Sequence, residues 1–372
     1  MDNTNQRKAL INSEISLFLR GLIIGKVLTL MVIGGLLWWF LKPNLLSSRN
    51  SVNPSSAQNV KSVSNNVSNN ISNNVSNNNG STFQTVADVP PASFNYGGST
   101  AWASIRQLVD SQIQSDRPEL QLRYVNPVNG SPGSSSGIRM LLDGKLDFAQ
   151  SSRPLTDEEQ ATAKERGFTL EQRQVGRDGI AVVVNPSLNV PGLTVEQLQQ
   201  IYLGKITNWN QVGGPNLPIT AFSQRPEDAD TVIFPNNSDL KGQAFGSNVQ
   251  YVYSATDAVR QLSKTPGGVY YASARSVVFQ CSVKALPLGQ TSGQLITPYR
   301  EPMVSPEQCP RQRNQLNTQA IKNGSYPMIA NLFVIIKQNK GSEQQIGNAY
   351  ANLLLTDQGQ RAIEQAGFVR VR

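Results

Sequence analysis

Gly133-Ser134-Ser135-Ser136-Gly137-Ile138-Arg139 and, one short strand later, Asp147-Phe148-Ala149-Gln150-Ser151-Ser152-Arg153-Pro154-Leu155 decide the reading of this chain. The first stretch is a glycine-flanked run of hydroxyls opening a helical pattern through Ile138, Leu141 and Leu142. The second ends on a hydroxyl pair followed by arginine. Unpaired backbone N–H groups at a helix start, joined by serine hydroxyls, form a donor set for an oxyanion. The same grammar stands upstream in Gly97-Gly98-Ser99-Thr100-Ala101-Trp102. One such turn alone is commonly plain N-capping. Two in one domain point to a shared anion site.

At 372 residues, the chain can bury two sizeable cores. Its net charge of +8 is unevenly placed. Residues 1–80 carry seven Lys/Arg and two acids, so +5, which leaves +3 for the rest. No basic block interleaved with aromatics follows, which argues against a nucleic-acid partner. The chain has no histidine. That removes Ser-His-Asp and Cys-His nucleophile systems and imidazole metal sites, so neither a metal nor another cofactor is expected. Nothing near Ser134–Ser136 reads as a base, and a serine hydrolase is disfavoured. The chain is expected to be a binding protein and not an enzyme.

Gly21 to Leu41 reads GLIIGKVLTLMVIGGLLWWFL, with Lys26 as its single charge. As a helix it spans roughly 30 Å, the thickness of a hydrocarbon core. Arg7, Lys8, Arg20 and Lys26 lie toward its N-terminal side and Trp38-Trp39 at the far end. That bias places residues 1–20 in the cytoplasm and the body outside, on a single-pass inner-membrane anchor. The stretch is long for a cleaved signal peptide and lacks an adjacent small-x-small site, so an uncleaved anchor is favoured. Residues 42–93 read as a disordered linker. Within them Val-Ser-Asn-Asn or Ile-Ser-Asn-Asn repeats from residue 63 to 78, too little apolar surface to order a chain.

The folded body is expected over 94–372. Ser104–Ile113 has helical periodicity, and Leu120–Val125 and Asp147–Ala149 read as strands. Gly179–Val184 and Leu332–Ile336 are continuous apolar runs, expected of strands covered on both faces. Thr156-x-x-Glu159, Thr194-x-x-Gln197 and Ser342-x-x-Gln345 read as capping boxes. Two C-terminal helices, 347–355 and 359–365, end at Gly367, a left-handed cap position. Strands alternating with helices indicate an α/β architecture with largely parallel sheets. Cys281 and Cys309, the only cysteines, are either two buried thiols or one disulfide. Export favours the bridge, which would contribute about 3 kcal/mol in the chain-entropy model.

These residues resemble the phosphate-binding proteins of Pst-type ABC importers, of the type II periplasmic-binding-protein fold. The markers are GGSTAW (97–102), PGSSSGIRMLLDGKLDFAQSSRPLTDEE (132–159), GRDGIAVVVNP (176–186), LTVEQLQQIYLGKITNWNQVGG (193–214), GGVYYA (267–272), YPMIANLFVIIK (326–337) and LLLTDQGQRAIEQAGFVRV (353–371). The resemblance implies two lobes closing over an oxyanion, lobe one about 94–183 and 281–372, lobe two about 184–280. It implies ligand contacts from Ser99, Thr100, Ser134, Ser135, Ser136, Ser152 and Arg153, and from Arg225 and Thr231 of lobe two. There the chain departs from the family: Ala229-Asp230 stand where the family carries Ser-Gly. The change removes a hydroxyl donor and sets a carboxylate beside an anion site. Asp228 and Asp230 near a phosphate cost energy unless Arg225 or a proton intervenes.

The function implied is that of a membrane-tethered extracytoplasmic solute-binding protein that delivers phosphate or a related oxyanion to an ABC permease. The alternative is an interaction or sensor protein on the same fold with a degenerate site.

Overall fold

The long strand Thr169–Val184 organises the molecule. The computed structural model describes residues 80–234 and 243–372. The expected segments 1–20 and 21–41, and the linker as far as residue 79, lie outside the described residues. Among those described, no helix is long and apolar enough to cross a membrane.

In chain order the strands are β1 (Ser93–Gly98), β2 (Gln121–Tyr124), β3 (Phe148–Ser151), β4 (Thr169–Val184), β5 (Leu193–Thr194), β6 (Thr220–Ser223), β7 (Val249–Tyr251), β8 (Gly268–Ser273), β9 (Lys284–Leu286), β10 (Leu288–Gly289) and β11 (Ile329–Gln338). Nine of them form one sheet in the order β2-β1-β3-β11-β4-β8-β6-β7, with β9 also on β4; β10 and β5 pair separately. Residues 169–179 of β4 pair antiparallel with β11, and its last five residues pair with β8 and β9. It therefore passes from one lobe to the other, and β11 enters the first lobe beside it.

The outer ladders β1/β2, β1/β3, β6/β7 and β6/β8 are parallel. The ladders around β4 and β11 are antiparallel. The sheet is thus mixed, because both crossing strands must be inserted between parallel βα units.

Alternation along the crossing strands divides four cores. Val182 and Val184 join one second-lobe core, Ala181 and Val183 the other. Leu332, Val334 and Ile336 join one first-lobe core, Phe333 and Ile335 the other. Successive side chains leave opposite faces of a strand, so a continuous apolar run suits a sheet covered on both sides.

Three expectations shift. The linker does not extend to residue 93: Phe83 and Val89 are buried in the first-lobe core. Nearby, the Ser81 amide donates to Asp357 at 2.8 Å. The segment 281–328 does not pack with the first lobe: Val283, Ala285, Leu288, Leu316 and Ile321 bury in second-lobe cores, carried there by β9 on β4. The third concerns helix caps. The boxes at Thr156/Glu159 and Thr194/Gln197 form. Ser342 does not cap, because the left-handed Lys340 turns the chain early and Gly341 becomes the N-cap.

Cys281 and Cys309 form a disulfide with Cα atoms 5.8 Å apart. Trp209 is a core residue, fully buried, its indole N–H donating to the Gly267 carbonyl at 3.0 Å.

Candidate functional site

Two glycine turns bring two helix starts together. Beyond β1, helical backbone runs from 100 to 116; the helix Ser134–Leu142 packs across its start. A Cβ placed on Gly137 would lie 2.3 Å from the Gly98 Cα, so residue 137 must lack a side chain for the turns to touch; a Cβ on Gly98 would instead meet the Gln150 carbonyl oxygen at 2.1 Å. Gly98 also has φ +117°, a conformation that glycine adopts without strain.

At this junction sits a carboxylate from the second lobe. The Thr100 amide donates to Asp230 Oδ1 at 3.0 Å and Oδ2 at 3.2 Å. The Thr100 hydroxyl donates to Oδ2. The Ser134 amide donates to Oδ1 at 3.2 Å, and the Ser134 hydroxyl donates to the Asp230 backbone carbonyl at 2.9 Å. Asp230 is buried. Burial pushes its carboxyl up from the ordinary aspartate range, and the donors from Thr100, Ser99 and Ser134 partly oppose that.

Neighbouring residues continue the seam. The Ser135 amide donates to the Ala229 carbonyl at 3.2 Å, and Arg139 donates to the Glu227 carbonyl at 2.9 Å. Asp228 accepts from the Ser131 amide at 3.2 Å and pairs with Arg139 at 3.3 Å. Gly133 faces the Asp228 carbonyl so closely that a Cβ would stand 1.9 Å from it. The segment 227–230 is therefore held along the mouth of both helix starts.

The expected ligand contacts divide accordingly. Ser99, Thr100, Ser134 and Ser152 come together: the Ser99 and Ser152 hydroxyls are 2.7 Å apart, and the Ser152 amide donates to Ser134 Oγ at 2.9 Å. Thr231 is buried beside them, lining a small cavity with Thr100, Gln224 and Asp230. Ser136 turns back to its own helix start, donating to the Gly133 carbonyl at 3.1 Å.

Arg153 and Arg225 do not reach the junction. Arg153 holds Glu159 through two bonds of 2.6 and 3.0 Å, the Pro154 carbonyl at 2.8 Å and the Ser135 hydroxyl at 2.8 and 3.2 Å. Its guanidinium fork is committed to protein acceptors, and Ser135 is drawn toward it and away from Asp230. The acid that pairs with it is Glu159. Arg225 is exposed and lies over the Tyr251 ring, 5.1 Å from its centroid. Its backbone precedes the turn Pro226–Asp228, which aims the side chain outward.

Two residues that sequence reasoning passed over stand here. Gln224 accepts from the Asp230 amide at 3.4 Å, while its buried Nε2 has no partner among the described residues. Arg106 braces the first turn, donating to the Ser99 carbonyl at 2.9 Å and to Gln150 Oε1 at 3.0 Å beneath the Tyr124 ring. Asp178, at the crossing, accepts from the Gly179 amide at 2.8 Å and from Ser273 and is structural. Among the described residues no group of acids and cysteines could hold a metal ion.

A family model described as "PBP superfamily domain" matches residues 85–358. The phosphate-binding protein PstS of Staphylococcus epidermidis (strain ATCC 35984) is 24% identical over 280 residues, covering 73% of this chain and 77% of that protein. PstS of Staphylococcus haemolyticus is 24% identical over 281 residues, covering 73% and 79%. Among solved structures, a putative phosphate ABC transporter substrate-binding protein with bound phosphate from Clostridium perfringens superposes with a TM-score of 0.56 at 19% identity, over 76% of this chain and all of that one. An ABC-type phosphate transport receptor from Vibrio cholerae gives 0.52 at 22%, over 75% and 100%. At these identities the likeness is one of fold.

Proposed function

The chain belongs to the PBP superfamily, and from that membership we propose that it is an extracytoplasmic, membrane-tethered binding protein for phosphate or a related oxyanion, which it delivers to an ABC importer. The observation that carries this reading is the convergence of the Thr100 and Ser134 amides and the Thr100 hydroxyl on one negatively charged group. A carboxylate satisfied by neutral donors at two helix starts is the local chemistry that a phosphate or sulfate requires. The PstS relatives, phosphate-binding by name, agree with it in ligand class. Tethering rests on the apolar run 21–41 and its flanking charge. No reaction is assigned, since binding and release by lobe movement account for the site.

The second reading, an interaction or sensor protein, is favoured by one fact: the donors are engaged by the chain's own Asp230. The discriminating experiment is equilibrium dialysis of the purified full chain with labelled phosphate, followed by competition with sulfate and arsenate. Saturable binding of one anion per chain supports transport. Absence of binding to all three, with the protein folded, contradicts it in favour of the second reading.

A further inference from the structure

We propose that Asp230 is a built-in ligand: its carboxylate occupies the oxyanion site, clasps the two lobes together in the anion-free protein, and sets the threshold that a free anion must overcome. The inference rests on the oxyanion reading above and deepens it.

Asp230 engages the donors at the two helix starts, the Thr100 amide and hydroxyl and the Ser134 amide. With the carboxylate in place, the cavity left among Thr100, Gln224, Asp230 and Thr231 is about 10 Å3. That is room for about one water. A tetrahedral oxyanion does not fit within that cavity, and two anions sharing these donors would repel at close range. Free anion and Asp230 therefore exclude each other.

The segment that carries the side chain is also well held. Ser135, Arg139 and Ser131 fix the main chain or side chains of Glu227, Asp228 and Ala229, and Ser134 fixes the Asp230 carbonyl. All these bonds run from the first lobe to the second. A tethered ligand acts at a high effective concentration, and a binder whose competent state is a minor fraction loses apparent affinity by that fraction. The buried Gln224 Nε2, a donor with no partner among the described residues, is the group left over in this self-occupied arrangement. An anion with four oxygens in place of two can supply the missing acceptor.

The test uses the full chain in detergent with three aspartate states: wild type, Asp230→Asn and Asp230→Gly. Phosphate affinity is measured by calorimetry. The interlobe distance is measured by pulsed electron resonance between spin labels at Lys145→Cys and Lys264→Cys, both exposed and on opposite lobes. Wild type is expected to bind phosphate at least about tenfold more weakly than Asp230→Gly, with Asp230→Asn between them. Anion-free wild type is expected to show the narrow distance of the phosphate-loaded glycine variant, and the anion-free glycine variant a longer, broader one. Equal affinities, or coincident anion-free distances, overturn the proposal while leaving phosphate binding intact. Opening of the glycine variant without binding of phosphate, sulfate or arsenate overturns the oxyanion reading and retains Asp230 as a clasp. A cooperative melt of each variant checks folding, and Asp230→Asn carries the comparison if the glycine variant fails to fold.

Discussion

Thr100 and Asp230 lie on different lobes and meet through three hydrogen bonds, two from the Thr100 amide at 3.0 and 3.2 Å and one from its hydroxyl. A residue 130 positions away thus closes the first helix start as a capping side chain would, but across a cleft instead of within a turn. The contact joins the anion chemistry of the site to the relative position of the lobes.

Two serines of the central turn, Ser134 and Ser135, should separate cleanly on mutation. Ser134→Ala removes an acceptor for the buried Ser152 amide and a donor to the Asp230 carbonyl. It should destabilise the protein by about 1–3 kcal/mol, since a buried N–H is left unpaired. Ser135→Ala takes the acceptor from the Arg153 Nε–H and should cost about 1 kcal/mol, less than Ser134→Ala, because Glu159 still holds the guanidinium through its two terminal nitrogens. Urea denaturation of both variants checks the order; a larger loss in Ser135→Ala would reverse the assignment of these hydroxyls.

Gly137→Ala should be far more damaging than Gly144→Ala. An added methyl at 137 meets the Gly98 backbone at 2.3 Å, where nothing can give way without parting the two turns. At Gly144 nothing lies within 4 Å, and only its φ of +70° opposes the change, a cost of about 1 kcal/mol. Thermal melts should show a modest shift for Gly144→Ala and loss of a cooperative transition, or a large shift, for Gly137→Ala. Equal effects would contradict the close packing of the turns.

Much of the fold is legible in the sequence because its signals are local. The runs at 179–184 and 332–336 announce doubly covered strands, and Gly-Ser turns announce helix starts. Other features depend on remote partners. The first part of β4, from Thr169, carries mostly polar residues around the buried Leu170 and Val175 and is a strand because β11 lies beside it. Residues 281–328 carry no mark of their lobe, which β9 decides by pairing with β4. At the site, the sequence places a carboxylate at 230 near the anion turn. That this carboxylate becomes the occupant depends on the register of one lobe against the other, which no local pattern encodes. The Arg153 fork is lost to Glu159 for a similar reason: the capping glutamate serves both the helix start and the guanidinium.

Stability should fall as pH rises from about 4 to about 7. Burial pushes Asp178 up to about 7 and Asp110 up to about 6, partly opposed by hydrogen bonds from Ser273 to the former and from Tyr96 and Tyr350 to the latter. Both folded-state values lie above the ordinary aspartate value of 3.8. The folded state then binds protons more tightly than the unfolded chain, so this contribution is full below about pH 4 and is lost as pH passes through the folded values. Asp178→Asn keeps the shape, removes the charge, and should flatten its part of the slope, a gain on the order of 4 kcal/mol at most above pH 7. Urea midpoints from pH 4 to 8 decide it; an unchanged slope in the variant would show that Asp178 is not the group responsible.

Opening the disulfide should weaken the second lobe without touching the site. Cys281 and Cys309 are 28 positions apart, and closing such a loop contributes about 3 kcal/mol through the unfolded chain. The double change to serine should lower stability by about that amount and leave the affinity for phosphate within about twofold, since affinity follows bound-state contacts it does not alter. A tenfold loss of affinity would tie the bridge to the site instead.

The most direct measurement is the position of a bound anion. Crystals of the Asp230→Gly chain soaked in arsenate locate the ion by its anomalous signal. The account predicts one peak within hydrogen-bond reach of the Thr100 and Ser134 amides, where the Asp230 carboxylate lies in the wild type. A peak elsewhere in the cleft, at Arg153 or Arg225, or no peak at saturating arsenate, would contradict it.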